Sequence, residues 1–232
     1  MVEGARARPM AGREQPTREE VLRQPRLHVA SHPLIAVRLT LLRSTETAAP
    51  RFRELLGELT TLVGYEALAD LALAEQPIET PLEPMIGAKL AEPLAIVPIM
   101  RAGLAMVEPL LRLLPEARVW HLGLYRDEES LRPVPYYNRA MRSGQAAHCI
   151  VVDPMLATGG SAVSAVDLIK AVGAERITYI GIVAAPYGVA QLAAAHPDVA
   201  IYVAALDREL NDAGYICPGL GDAGDRVFYT GA

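Results

Sequence analysis

Between Val151 and Ser161 the chain reads VVDPMLATGGS. Cys149 to Val152 have the composition of a buried strand, and Asp153 closes it. Thr158-Gly159-Gly160-Ser161 then opens a stretch with helical apolar spacing. A Gly-Gly turn at a helix start gathers several backbone N–H groups on one point, where the helix dipole favours an anion. Thr158 and Ser161 add hydroxyl donors, so the turn suits a phosphate monoester. Asp153 suits sugar hydroxyls, directly or through a magnesium ion. A plain helix cap would use the same Ser and Gly. The carboxylate at the end of an apolar strand favours the ligand, because open α/β sheets bind beyond the carboxyl ends of their strands. No lysine follows the glycines, which excludes a Walker A loop.

A second anion-suited turn is Pro98-Ile-Met-Arg101-Ala-Gly103, again after an apolar strand and before a helix. Arg101 can make paired bonds to a diphosphate, whereas a surface arginine is the plainer alternative. Arg126, in YRDEE at the base of a long polar loop, is a further diphosphate candidate. That loop, about residues 126–145, is too long for a simple connection and reads as a lid that would exclude water. Near the C-terminus, Tyr215 to Asp225 (YICPGLGDAGD) combines glycines with two carboxylates, as in backbone shaped around a ligand. It lacks the residue pattern of a calcium loop.

The elements that must position these residues alternate. Leu94–Pro98, Ala117–Leu124, Cys149–Asp153, Ile177–Val183 and Val199–Val203 read as strands. Leu104–Leu114, Ser161–Val172 and Gly188–Ala195 read as helices. Pro50–Glu75 reads as two amphipathic helices in succession. This order predicts an α/β fold with a mostly parallel sheet and right-handed crossovers. Residues 1–26 are polar and aperiodic, and are expected as a flexible extension before a single domain spanning 27–232.

The chain has 232 residues and a net charge of −5, which argues against broad nucleic-acid binding. Arginine far outnumbers lysine, from genome composition or heat adaptation alike. Two cysteines, Cys149 and Cys217, are expected as buried reduced thiols. The longest apolar stretch, Ile177–Ala195, is interrupted by Pro186, Gly188 and Gln191, so no membrane span is expected. No apolar signal segment is expected either, and a cytoplasmic enzyme is the default.

Taken together, the motifs resemble the uracil phosphoribosyltransferases from about His32 to Thr230. The likeness rests on DPMLATGGS at 153–161, on VPI-x-RAG-L at 97–104, on YRDEE-x-L at 125–131 and on YI-x-PG-x-GDAGDR at 215–226. It departs from the family pattern at Leu68, Met100, Ala140 and Met141. The resemblance implies a type I phosphoribosyltransferase fold: a parallel sheet flanked by helices, with a hood (about 207–232) and a long lid or arm loop. It implies transfer from 5-phosphoribosyl 1-diphosphate (PRPP) to uracil, giving UMP and diphosphate, with Mg2+ carried mainly by PRPP and in part by Asp153. Residues 153–161 would hold the phosphoribosyl group, namely Asp153, Pro154, Met155, Leu156 and Ala157 with Thr158, Gly159, Gly160 and Ser161. Arg101 and Arg126 would hold the diphosphate. Ile216, Gly221, Asp222 and Ala223 would hold the base. Asp222 and Arg101 are the catalytic candidates, with Asp222 either a proton acceptor or a contact to the ribosyl ligand. A homodimer or homotetramer, and GTP as an effector, are also implied. The alternative on the same fold is a pyrimidine-responsive RNA-binding regulator; such proteins carry two acids in the phosphate motif, whereas Pro154 follows Asp153 here.

Overall fold

The computed structural model describes residues 10, 12, 14–126, 133–138 and 147–230, with only the backbone path for 122–126 and 133–138. In chain order it contains α1 (Arg18–Val21), β1 (Leu27–Val29), α2 (Pro33–Arg43), α3 (Ala49–Ala67), β2 (Leu73–Glu79), β3 (Pro84–Leu90) and β4 (Leu94–Pro98). A 3-10 turn (Ala102–Met106) leads into α4 (Val107–Leu113), followed by β5 (Arg118–Val119), β6 (Leu122–Arg126), β7 (Pro133–Asn138), β8 (His148–Val152) and β9 (Met155–Leu156). The remainder is α5 (Gly160–Ala171), β10 (Arg176–Ala184), α6 (Pro186–Ala195), β11 (Ala200–Leu206), β12 (Glu209–Leu210), β13 (Ile216–Cys217) and α7 (Ala223–Phe228).

The central sheet runs β1-β11-β10-β8-β4-β5, with β9 also on β10, and each of these pairings is parallel. All of β4 and β8 is buried. Their residues alternate between two apolar cores, as the pleat requires of a sheet covered on both faces. Ile96, Ile150 and Val152 face the core built by α2, α3 and α4, where Phe52, Leu55, Leu56 and Leu59 are fully buried. Ala95, Val97, Cys149 and Val151 face the core built by α1, α5 and α6. Cys149 is a free thiol that burial pushes up to about 12, while Cys217 is only half-buried.

Several expectations change. The first amphipathic helix of 50–75 exists as α3, but the second does not. Its residues end α3 and then form β2, which pairs antiparallel with β3 from Leu73↔Leu90 to Glu79↔Pro84. The apolar spacing of Tyr65, Leu68 and Leu71 marked a helix end rather than a new helix. The strand expected at 117–124 divides into β5 in the central sheet and β6 in a hairpin with β7. That hairpin is the described part of the expected lid; 127–132 and 139–146 lie outside the described residues. The extension before residue 27 is not loose over its described part. Thr17 and Glu20 form a capping box that starts α1, and Val21 is buried against α6-side residues.

The hood is joined to the helical layer by arginines. Arg43, at the end of α2, makes a paired bridge to Asp207 (2.7 and 2.5 Å) and donates to Gly219 O at 2.6 Å. Asp207 Oδ2 also accepts from Gly219 N at 2.8 Å. Arg226 lies over the Phe52 ring, 4.3 Å from its centroid, and donates to Leu220 O and Ser44 O. Asp207→Ala would leave Arg43 and the Gly219 N–H without their carboxylate. It is expected to cost about 3 kcal/mol, read as a lowered denaturant midpoint.

Candidate active site

The register Pro98↔Val152 ends β4 and β8 at the same level, so the turns that follow them are neighbours. After β8 the chain makes a two-residue excursion, Asp153-Pro154, and rejoins the sheet as β9 beside β10. Ile182 and Val183 both donate their N–H to Pro154 O, at 3.2 and 3.0 Å. The turn is therefore pinned to β10 instead of being a free loop from Asp153 to Thr158. It closes at Gly159, which is left-handed (φ 80°) and caps α5 without any side-chain hydrogen bond. A Cβ there would come within 2.9 Å of Gly188 O, so the α5–α6 packing requires glycine. Thr158 and Gly160 are half-buried and Ser161 is exposed, around the start of a helix twelve residues long.

Asp153 is half-buried and accepts from Met155 N at 3.2 Å. Burial pushes its carboxyl up to about 7, against the pull of that N–H. The buried Tyr179 hydroxyl donates to Asp153 O at 3.2 Å, fixing the backbone from beneath. Arg101 follows a cis peptide bond at Met100–Arg101 and reaches across to the hood. Its Nη2 stands 3.5 Å from Asp225 Oδ1 and its Nη1 3.4 Å from Thr230 Oγ1, with the side chain 60% exposed. Arg101 is thus beside one carboxylate, that of Asp225, yet largely open to solvent. Arg126 ends β6, on a separate hairpin.

The C-terminal segment was expected as shaped loop, and part of it is helical. Asp222 is the N-cap of α7, accepting from Asp225 N at 2.9 Å. Gly219 and Gly221 have positive φ, and Cys217–Pro218 is cis. One cleft of about 1050 Å3 collects Arg101, Asp153, Met155, Ala157 and Thr158 on the sheet side, and Asp212 to Ile216 and Gly221 to Asp225 on the hood side. The structure therefore brings together Asp153, Arg101, Thr158, Ile216, Gly221, Asp222 and Ala223. Pro154 and Leu156 are buried beside the cleft and shape it. Among the described residues no three His, Cys, Asp or Glu side chains converge as a metal cluster.

Residues that sequence reasoning passed over are Arg43 and Asp207, whose partners lie 164 residues apart, and Gln15 and Arg18, which reach the hood. Of these only Arg18 lay within a local signal, the T-x-x-E capping box at Thr17–Glu20.

Comparison with known proteins places the site in context. A family model described as uracil phosphoribosyltransferase matches residues 29–230. A uracil phosphoribosyltransferase of Roseiflexus castenholzii is 56% identical over 203 residues, covering 88% of this chain and 98% of the relative. One from Streptococcus suis is 53% identical over 206 residues, covering 88% and 99%. A solved protein of Aquifex aeolicus superposes with a TM-score of 0.83 at 36% identity, covering 89% of this chain and 99% of that one. An adenine phosphoribosyl transferase of Trypanosoma brucei, solved with AMP, pyrophosphate and ribose-5-phosphate, shares the fold at a TM-score of 0.51 and 16% identity.

The raised Asp153 carboxyl makes stability depend on pH. In the folded chain it holds its proton to about 7, against an ordinary value of 3.8, so its contribution is present below pH 4 and lost as pH rises through 7. Asp153→Asn should therefore gain stability relative to the parent between pH 4 and pH 8, measured as thermal midpoints. A gap that does not widen across that range would contradict the burial of this carboxyl.

Proposed function

The chain belongs to the uracil phosphoribosyltransferase family, a group of type I phosphoribosyltransferase fold, and from that premise we propose how its cleft divides the work. The reaction is a pentosyl transfer from PRPP to uracil, giving UMP and diphosphate. The observation that carries the division is the single cleft in which the 153–158 turn, Arg101 and the hood wall meet.

The turn from Asp153 to Ser161 holds the phosphoribosyl group. Its backbone N–H groups and the hydroxyls of Thr158 and Ser161 take the 5-phosphate at the start of α5, and Asp153 takes the ribose hydroxyls. Arg101 and Arg126 hold the diphosphate. Ile216, Gly221, Asp222 and Ala223 read the base. Uracil presents one N3–H donor between two carbonyl acceptors, a pattern that backbone N–H and C=O groups match. Cytosine offers an acceptor at N3 and an amine at C4, so each mispaired buried group costs roughly 1–3 kcal/mol.

As the bond from ribose C1 to the diphosphate breaks, negative charge gathers on the leaving oxygens, where Arg101 stabilises it. The new bond forms from uracil N1, which gives up its proton. Asp222 caps α7, and a carboxylate retains accepting capacity beyond one N–H. It serves either that proton or a ribose hydroxyl. Asp153 is the one carboxylate of the turn that would help hold a magnesium ion carried mainly by PRPP. That ion, when bound, supplies charge neutralisation at the diphosphate.

A homo-oligomer is the assembly this reading carries. The β2–β3 arm supports it, since Leu73, Leu82 and Ile86 stand in solvent there. Among the described residues no helix is long and apolar enough to cross a membrane. A cytoplasmic enzyme of pyrimidine salvage agrees with this reading. GTP as an effector comes from the family resemblance. Native mass measurement with and without GTP reads both assembly and effector. The RNA-binding alternative gathers no support from the family match.

Side-by-side assays with PRPP, magnesium and uracil, cytosine, orotate or hypoxanthine should give nucleotide from uracil alone. Turnover of hypoxanthine without uracil would sink the reading. Arg101→Ala should lower kcat/KM by about 100-fold without moving the thermal midpoint. Unchanged kinetics would remove Arg101 from the site.

A further inference from the structure

Met10, Gln15 and Arg18 precede the stretch 29–230 that the family model matches, and their contacts run in order from the end of β11 along one edge of the hood. Arg18 Nε donates to Leu206 O at 3.1 Å, where β11 ends. The Gln15 carboxamide donates from Nε2 to Leu210 O at 2.9 Å and accepts from Leu210 N at 3.0 Å. Met10 N donates to Asp212 O at 2.8 Å, and the Met10 side chain is buried in the α3-side core. The segment is anchored at its other end by Val21, buried in the opposite core.

Gln15 closes both main-chain groups of one strand residue, as an adjoining strand would. Leu210 is the register partner of Ile216, and beside that pair Arg208 N donates to Cys217 O (3.0 Å) and Asn211 N to Tyr215 O (2.9 Å). β12 is thus held by β13 on one edge and by Gln15 on the other. A two-stranded ladder of two residues per strand is marginal by itself and opens locally. Recognition of a base by backbone groups tolerates displacements of only about 0.5 Å.

We propose that Met10, Gln15 and Arg18 form a positioning strap for the wall that reads the base, holding β12 and through it β13 and Ile216 in register. The proposal rests on the assignment of uracil to Ile216 and Gly221–Ala223. The strap acts on base binding and leaves the phosphoribosyl turn, on the far side of the cleft, untouched.

The test uses the full-length chain. Gln15→Met keeps side-chain length and removes both hydrogen bonds; Gln15→Met with Arg18→Ala removes three. Gly221→Ala, at a left-handed position of the wall itself (φ 79°), is the reference for base binding. KM for uracil and for PRPP are measured separately, with thermal midpoints and amide exchange of peptides covering 208–217. The double variant should raise KM for uracil about three- to tenfold, keep KM for PRPP within about twofold, and speed exchange over 208–217. If Gly221→Ala raises KM for uracil and the strap variants do not, the strap is overturned and the base wall stands. If none of them moves it, the base wall is misassigned and the strap falls with it. Equal rises in both KM values mark a merely structural role and also overturn the proposal. Should the double variant fail to fold, Gln15→Met alone carries the same comparison.

Discussion

A parallel pair whose register sets Pro98 opposite Val152 leaves two strands ending at one level, and the chemistry of this chain follows from that alignment. Each strand must then turn away from the sheet, and both turns contribute to the same cleft. The strands can be central only because both faces are apolar, which the alternation of Ala95, Val97, Cys149 and Val151 with Ile96, Ile150 and Val152 provides. Had the register slipped by one residue, both cores would have exchanged side chains and the two turns would have parted. The excursion at Asp153-Pro154 is likewise held by the sheet, through two N–H groups on β10. Pro154 has a structural duty there as well as excluding a second acid.

The opposite wall of the cleft adds a second kind of force to apolar packing. The hood buries Leu210, Ile216, Leu220 and Val227 in the α3-side core and adds directional polar contacts: Arg43 with Asp207 and Gly219, and Arg226 with Leu220, Ser44 and the Phe52 ring. Apolar packing tolerates sliding, whereas a paired guanidinium–carboxylate bridge fixes angle and distance. A sheet edge therefore carries the Asp153 side of the cleft, and an arginine-stitched segment carries the hood side.

Much of this was legible in the chain. Buried strands announce themselves as short apolar runs, and VVDPMLATGGS, PIMRAG and PGLGDAGD each supply residues to the cleft. What was not legible is instructive. Tyr65, Leu68 and Leu71 have helical spacing, but α3 stops at Ala67 and β2 takes over, since periodicity cannot mark where tertiary pairing outcompetes a helix. Asp222 looked like loop and proved to cap α7, because a helix of six residues leaves too little periodicity to read. Arg43 and Asp207 have ordinary local contexts; their partnership exists only in three dimensions. Residues 1–26 looked unstructured from composition, yet among those described Met10, Gln15, Arg18 and Val21 each contact the folded domain.

The seating of Gln15 on Leu210 has a temporal side. These two residues are 195 apart in the chain. At about 5–20 residues per second, ribosomal synthesis separates their appearance by roughly 10–40 s. Throughout that interval the N-terminal segment is made but has no hairpin to rest on, and Met10 and Val21 remain uncovered by their final neighbours in the hood and sheet. Contacts of such sequence separation form late and slowly. The nascent chain thus carries an early segment whose docking waits on the last elements of the cleft, and chaperone occupancy of that segment would be a natural signature of the delay.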